Sequence, residues 1–197
     1  SYRIKPWKIY GPKGTKKFVK KIMAAWAEER KQRILYESRA SVKAFDIKIT
    51  EFGSTGIYSF NDLKIKYFEV DHKPVKYAYG FSFFNKSKKL TISGDTRPCE
   101  NLMKFGHKSD VLLHEVFIEG EIKETNKMRT KKTLHNVQKY HTSSSQVGKV
   151  AFITGCKKLV LTHFVPTRFN VPRLKKIVKK DFGKDPIIGK DLLKINI

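Results

Sequence analysis

Leu90-Thr91-Ile92-Ser93-Gly94-Asp95-Thr96-Arg97-Pro98-Cys99, a helical stretch opening at Glu100, and Val111-Leu112-Leu113-His114-Glu115-Val116 decide the fold. Leu90–Ser93 is a short apolar run that stops at Gly94 and Asp95, and Val111–Val116 is a second one. Short, largely apolar strands of this kind fit the buried strands of a sheet covered by helices. The pattern continues downstream with a helix over Ser143–Thr154, a strand over Lys158–Thr162, a helix over Val171–Asp181 and a final strand pair within Ile187–Ile197. Short apolar strands alternating with helices predict a mixed α/β layer architecture in which helices cover a sheet. Upstream, Phe45–Phe52, Leu63–Val70 and Tyr77–Phe84 alternate apolar and polar residues and read as strands bounded by Gly, Ser, Asn and Pro. Before them, Trp7–Tyr10 is β-like and Gly11-Pro12-Lys13-Gly14 is a turn. Thr15 is the expected N-cap of a helix reaching Tyr36, with Phe18, Ile22 and Trp26 on one face. The 197 residues are read as one domain.

Charge narrows the partner. The chain carries 42 Lys and Arg against 18 Asp and Glu, a net charge of +24, at a sequence pI of about 10.0. With 40% hydrophobic and 12% aromatic residues it can still bury a core, so it is not a disordered basic tail. Residues 1–43 hold thirteen basic and three acidic residues, including Lys16, Lys17, Lys20 and Lys21. Lys123–Lys139, with Lys131 and Lys132, is a second basic stretch, and Lys157 onward, with Arg168, Arg173, Lys175 and Lys176, is a third. Such patches on a folded core fit a polyphosphate partner, RNA most simply. No apolar run approaches the roughly 20 residues of a membrane span. Cys99 and Cys156 are too few for a disulfide framework, which points to a reducing, intracellular compartment.

Several segments place a ligand-type residue just beyond an apolar strand: Val70-Asp71-His72, Gly94-Asp95-Thr96, Leu113-His114-Glu115 and Thr162-His163-Phe164. Tyr140-His141-Thr142-Ser143 opens a helix, whose free N–H groups favour an anion. Imidazole nitrogens and a carboxylate arriving together suit zinc or a similar divalent ion. His107 and His135 read as surface residues, and the polar, basic loop Gly120–Thr133 is long enough to be functional.

The ordered set Ile9-Tyr10-Gly11-Pro12, Val70-Asp71-His72 with Tyr79-Gly80-Phe81, Ser93-Gly94-Asp95-Thr96-Arg97-Pro98, Leu113-His114-Glu115-Val116, His141-Thr142-Ser143 and Leu161-Thr162-His163-Phe164-Val165-Pro166 resembles the metallo-β-lactamase-fold hydrolases, nearest to their ribonuclease Z and arylsulfatase-like group. The ending Gly189-Lys190-Asp191-Leu192-Leu193 is similar to that group as well. The resemblance implies an αβ/βα sandwich, N-terminally incomplete. It implies that His72 binds one metal, Asp95 bridges two and His163 binds the second. His141 would assist catalysis, and Glu115 would orient it. The family's HxHxDH motif, which supplies most of the other metal ligands, does not occur in these residues, and no histidine precedes His72. A two-zinc site would therefore need ligands from elsewhere, and a protein partner or the missing segment would cover the sheet. The resemblance leaves three expectations: a shortened zinc phosphodiesterase of the tRNA 3′-processing type, a split enzyme completed by another chain, or a catalytically degenerate subunit of a ribonucleoprotein such as a mitochondrial ribosome.

Overall fold

Apolar and polar residues alternate through Leu63-Lys64-Ile65-Lys66, while Val111–Val116 opens with an apolar run and is buried along nearly its whole length, His114 and Glu115 included; the two patterns give the two halves of one sheet. The computed structural model describes residues 5–37, 42–122 and 130–197. They form two compact units, residues 1–54 and 55–197.

In the first unit β1 (Trp7–Gly11) pairs in parallel with β2 (Ile47–Glu51), Trp7 opposite Ile47. Between them run α1 (Thr15–Ala25) and α2 (Ala27–Tyr36). The single helix expected from Thr15 to Tyr36 is broken at Trp26 (φ −98°, ψ 17°), where the Phe18, Ile22, Trp26 spacing runs out. α2 lacks a continuing apolar stripe and instead carries Arg33 between Glu29 and Glu37, four residues away on either side. Thr15 is the first helical residue rather than the cap: Gly14, at φ 101°, takes that place. The orphan N–H groups of Gly14 and Lys16 donate to Glu51 Oε1 at 2.9 Å each, so a β2 carboxylate caps α1. The strand expected over Phe45–Phe52 begins only at Ile47, after a 3₁₀ turn over Val42–Phe45.

The second unit is a seven-stranded sheet in the order β3 (Thr55–Phe60), β4 (Leu63–Glu69), β5 (Tyr79–Asn85), β6 (Lys88–Ile92), β7 (Val111–Phe117), β8 (Lys158–Val165), β9 (Ile187–Ile188). β3 to β6 form an antiparallel meander; β6 to β9 are parallel. Helices α3 (Glu100–Gly106), α5 (Ser144–Thr154) and α6 (Val171–Phe182) carry the connections between the parallel strands, with α4 (Lys131–Gln138) ahead of α5. Leu102, Leu112, Val147, Leu159, Leu174 and Phe182 anchor one buried cluster of sheet and helix side chains. β3 is hidden in the sequence pattern because Gly56 and Ser59 interrupt it. The strand pair expected within Ile187–Ile197 reduces to Ile187–Ile188: Gly189 N donates to Leu161 O (2.8 Å), then the chain turns at Lys190, whose carbonyl accepts from Leu193 N (3.1 Å). Part of the basic stretch Lys123–Lys139, and of the loop Gly120–Thr133, lies outside the described residues at 123–129. The remainder of that stretch is helical, because the Thr130 hydroxyl accepts from Thr133 N (3.2 Å) and caps α4.

Candidate functional site

The parallel strands β6, β7 and β8 end along one edge of the sheet, where open α/β sheets place their ligands. Asp95 follows β6 after a tight turn at Gly94 (φ 64°), where a Cβ would collide with the Tyr79 carbonyl oxygen, so only glycine fits. Glu115 lies in the last half of β7. His163 lies in β8 at a bulge: Glu115 pairs with Thr162 and Val116 with Phe164, which leaves His163 without a partner on β7. Its φ of 44° is left-handed, unusual for a non-glycine residue and found where the surroundings enforce it.

Glu115 is the hub. Only 1% of its side chain is exposed, and its Oε1 accepts from Thr96 N (3.2 Å) and Thr142 N (2.9 Å) while lying 3.1 Å from His141 Nδ1. The Thr142 hydroxyl donates to Thr96 O (2.7 Å), tying the segment after β6 to the one before α5. Glu115 Oε2 is buried with no partner among the described residues. His114, next in the chain, is fully buried; its Nδ1–H donates to Glu115 O (2.7 Å), and burial pushes its pKa down, keeping it neutral.

His72 reaches the same edge from beyond β4. Its Nδ1 donates to Tyr140 O at 2.8 Å, which leaves the Nε2 lone pair as the available ligand. The His72 and His141 rings are 5.1 Å apart and the His141 and His163 rings 5.6 Å. His163 Nε2 is 3.4 Å from Asp95 Oδ2. Ligand atoms of Glu115, His141 and His163 also lie within 4.8 Å of one another. All five side chains singled out in the sequence, His72, Asp95, Glu115, His141 and His163, therefore meet at one edge.

Beside them Arg97 donates through Nε and Nη2 to Asp71 Oδ2 at 2.8 and 2.7 Å. Burial pushes the Asp71 carboxyl up, but the Arg97 hydrogen bonds and the Lys73 N–H outweigh it and hold the pKa down. A cleft of about 530 Å³ passes His72, Asp71, Lys73 and Lys76, and another of about 470 Å³ passes His141, Arg97, Lys139 and Ser143. Thr96, Thr142 and the Tyr140 carbonyl, which brace the site, are not evident from residue type; Thr142 and Tyr140 flank His141, and that adjacency is the available signal.

The basic residues are distributed over both units. Lys16, Lys17, Lys20 and Lys21 are exposed on α1; Lys131 and Lys132 open α4. Arg168 precedes α6, on which Lys175 is half-buried and Lys176 exposed. Arg173 is engaged by Glu121 at 2.9 Å. Among the described residues no helix is long and apolar enough to cross a membrane.

No family model matches this chain. It is 27% identical over 164 residues to ribonuclease Z of Mycolicibacterium gilvum, a match covering 83% of this chain and 56% of that protein. It is 24% identical over 194 residues to ribonuclease Z of Mycobacterium marinum, covering 98% and 68%. The chain thus spans little more than half of the first of these relatives. Among solved structures, the short form of human tRNase Z matches with a TM-score of 0.63 at 18% identity, over 100% of this chain and 70% of that one. The metallo-β-lactamase-fold protein YhfI of Bacillus subtilis matches with a TM-score of 0.61 at 20% identity, over 94% and 63%. This chain has the metallo-β-lactamase fold, and over most of its length its sequence is similar to ribonuclease Z.

Proposed function

We propose that this chain belongs to a metal-dependent RNA phosphodiesterase of the tRNA 3′-processing type. The observation that carries the reading is the meeting of His72, Asp95 and His163 with a His141–Glu115 pair at the sheet edge. The Asp95–His163 pair has the spacing of two ligands on a zinc-like ion, and His72 stands next to it across the His141 ring. Tetrahedral ligands at about 2.0–2.2 Å from a metal lie about 3.3–3.6 Å from each other, and His163 Nε2 and Asp95 Oδ2 are 3.4 Å apart. Glu115 Oε1 accepts from Thr96 N and Thr142 N and faces His141, which supports an orienting role for Glu115, while its unpartnered Oε2 is the oxygen it could offer to an ion. His72, Asp95 and His163 would hold the metal, and a pair of ions would need further ligands from outside these 197 residues. A metal bound there would polarise the scissile phosphate and supply hydroxide near neutral pH.

The chain's own groups do the rest. With Nδ1 against Glu115, His141 is left with Nε2 for moving a proton to the leaving oxygen. Arg97, fixed by Asp71 between the two clefts, is placed to face phosphate. The test is metal content and cleavage of a tRNA precursor bearing a 3′ trailer, using protein from its native source with its partners attached. Zinc or manganese bound, with cleavage lost in Asp95→Ala and His141→Ala, supports the reading. RNA bound without metal or cleavage overturns it in favour of a second reading, a non-catalytic ribonucleoprotein subunit, for which the observation is the net charge of +24 spread well beyond the site.

A further inference from the structure

At the end of β6, β7 and β8 remote from His72, His141 and His163 lies a further concavity, of about 580 Å³. The seven residues of β7 put about 20 Å between the two ends. Its rim is made by three turns: the β5–β6 hairpin with Lys86 and Lys88, the α3–β7 turn with Lys108, and the α5–β8 turn with Lys157. These turns are locked to one another. Asp110 N donates to Lys89 O (2.9 Å), Lys89 N to Asp110 Oδ2 (2.8 Å), Lys108 N to Thr154 O (2.7 Å) and Lys157 N to Ser109 O (2.9 Å). The lysine Cα atoms are therefore held at fixed spacing by backbone.

Five lysines line this concavity against one carboxylate, Asp110, and that carboxylate is consumed within the frame by Lys157 Nζ at 2.7 Å. Lys89 is likewise committed, to His107 O at 2.6 Å. Lys86, Lys88 and Lys108 are exposed and form no ion pair among the described residues. Burial, and after it Lys66 on β4, push the Lys89 pKa down. Concentrating five like charges around a single carboxylate is unfavourable unless a further anion occupies the concavity, and a concavity focuses the field that draws one in. The half-buried Phe84 ring forms an apolar wall, with Lys89 Nζ 5.5 Å from its centroid. The volume lies within the range of about 300–1,000 Å³ that takes small ligands.

We propose that this lysine pocket is a second anchoring site for single-stranded RNA, in which Lys86, Lys88 and Lys108 hold successive phosphates and Phe84 meets a base or ribose. Phosphates along a flexible strand can adapt to point-like ammonium groups, and an aromatic wall suits a nucleotide better than an acidic side chain. The inference rests on the RNA reading of the proposed function, and it adds an anchor remote from the cleavage edge.

The test is lysine acetylation footprinting of the full chain, with and without a 20-nucleotide single-stranded RNA, alongside anisotropy titrations across salt. Protection of Lys86, Lys88 and Lys108 is expected. The triple variant Lys86→Ala, Lys88→Ala, Lys108→Ala should bind about tenfold or more weaker at low salt. Its salt slope should fall by about 2, since each single-stranded phosphate contact contributes about 0.7. RNA bound with these lysines unprotected and the slope unchanged overturns the pocket and leaves the RNA reading standing. No RNA bound by the unaltered chain even at low salt overturns both. Protection by poly-glutamate but not by RNA overturns the proposal in favour of an acidic protein partner.

Discussion

His141 Nδ1 lies 3.1 Å from Glu115 Oε1, and the two side chains are 6% and 1% exposed. The Thr96 and Thr142 N–H groups on the same oxygen make Glu115 a structural knot, and in the proposed function it also orients His141. The two functions separate by substitution. Glu115→Gln keeps the volume and an oxygen for the two N–H groups but removes the charge facing His141. Cleavage should fall about 10–100-fold, the usual cost of losing an orienting partner at a metal site, with little change in thermal midpoint. Glu115→Ala leaves two buried N–H groups unsatisfied and should lower stability by about 1–3 kcal/mol for each. Equal loss of stability in both variants would contradict the division of roles.

His163 sits in left-handed backbone at φ 44°, a conformation that costs a non-glycine residue about 1–2 kcal/mol. Elsewhere Ala is more stable than Gly. Here the order should invert, with His163→Gly about 1 kcal/mol more stable than His163→Ala by urea denaturation, while both lose metal. If Ala proves the more stable, the bulge relaxes without the histidine and is not enforced by the β7–β8 pairing.

The legibility of this fold in its sequence is a matter of locality. Leu90–Ser93 and Val111–Val116 announce themselves as buried strands, and polar residues just beyond them fall at the site edge because parallel strands all end there. Asp95, Glu115 and His163 can thus be singled out from pattern. The Glu115 hub cannot, since Thr96 and Thr142 are separated from it by 19 and 27 residues and meet only through β6–β7 pairing and the approach of α5. The bulge at His163 is a property of register between two strands, invisible in either alone. Trp26 misleads for a related reason: its spacing continues the apolar face of α1, yet its backbone ends the helix. The lysine pocket leaves no sequence signal because its members come from three turns far apart in the chain.

Asp110 links acid sensitivity to the turns at the far end of the sheet. The hydrogen bond from Lys157, then that from Lys89 N, hold its carboxyl below the usual carboxylate range against the effect of burial. A carboxyl depressed in the folded state stabilises fully above its unfolded value, about 3.9, and loses that contribution as pH falls through the lower folded value. Asp110→Asn should therefore be less stable than the unaltered chain at pH 6, with the deficit shrinking towards pH 3. Urea denaturation at the two pH values measures it; the same deficit at both would assign the loss to packing instead.

Gly148 tests how closely α5 and α6 must approach. Replacing a mid-helix glycine by alanine ordinarily stabilises by about 1 kcal/mol through backbone entropy. At Gly148 a Cβ would lie 2.5 Å from Val178 O and 3.2 Å from Asp181 Cβ, and the first of these is backbone, which cannot swing aside. α6 would have to move as a unit, and with it Leu174, Val178 and Phe182, which close the core over Leu159 and Leu161 of β8. Overpacking of this kind costs about 1–3 kcal/mol, so the helix-propensity gain should be reversed in sign. Lys149→Ala, one residue along and exposed, is the matched control and should change stability by less than about 0.5 kcal/mol. Because β8 carries His163, the shift should also reach the site: Gly148→Ala should weaken metal binding without touching a ligand, whereas unchanged affinity in a destabilised variant would show that the bulge is set by β7 alone.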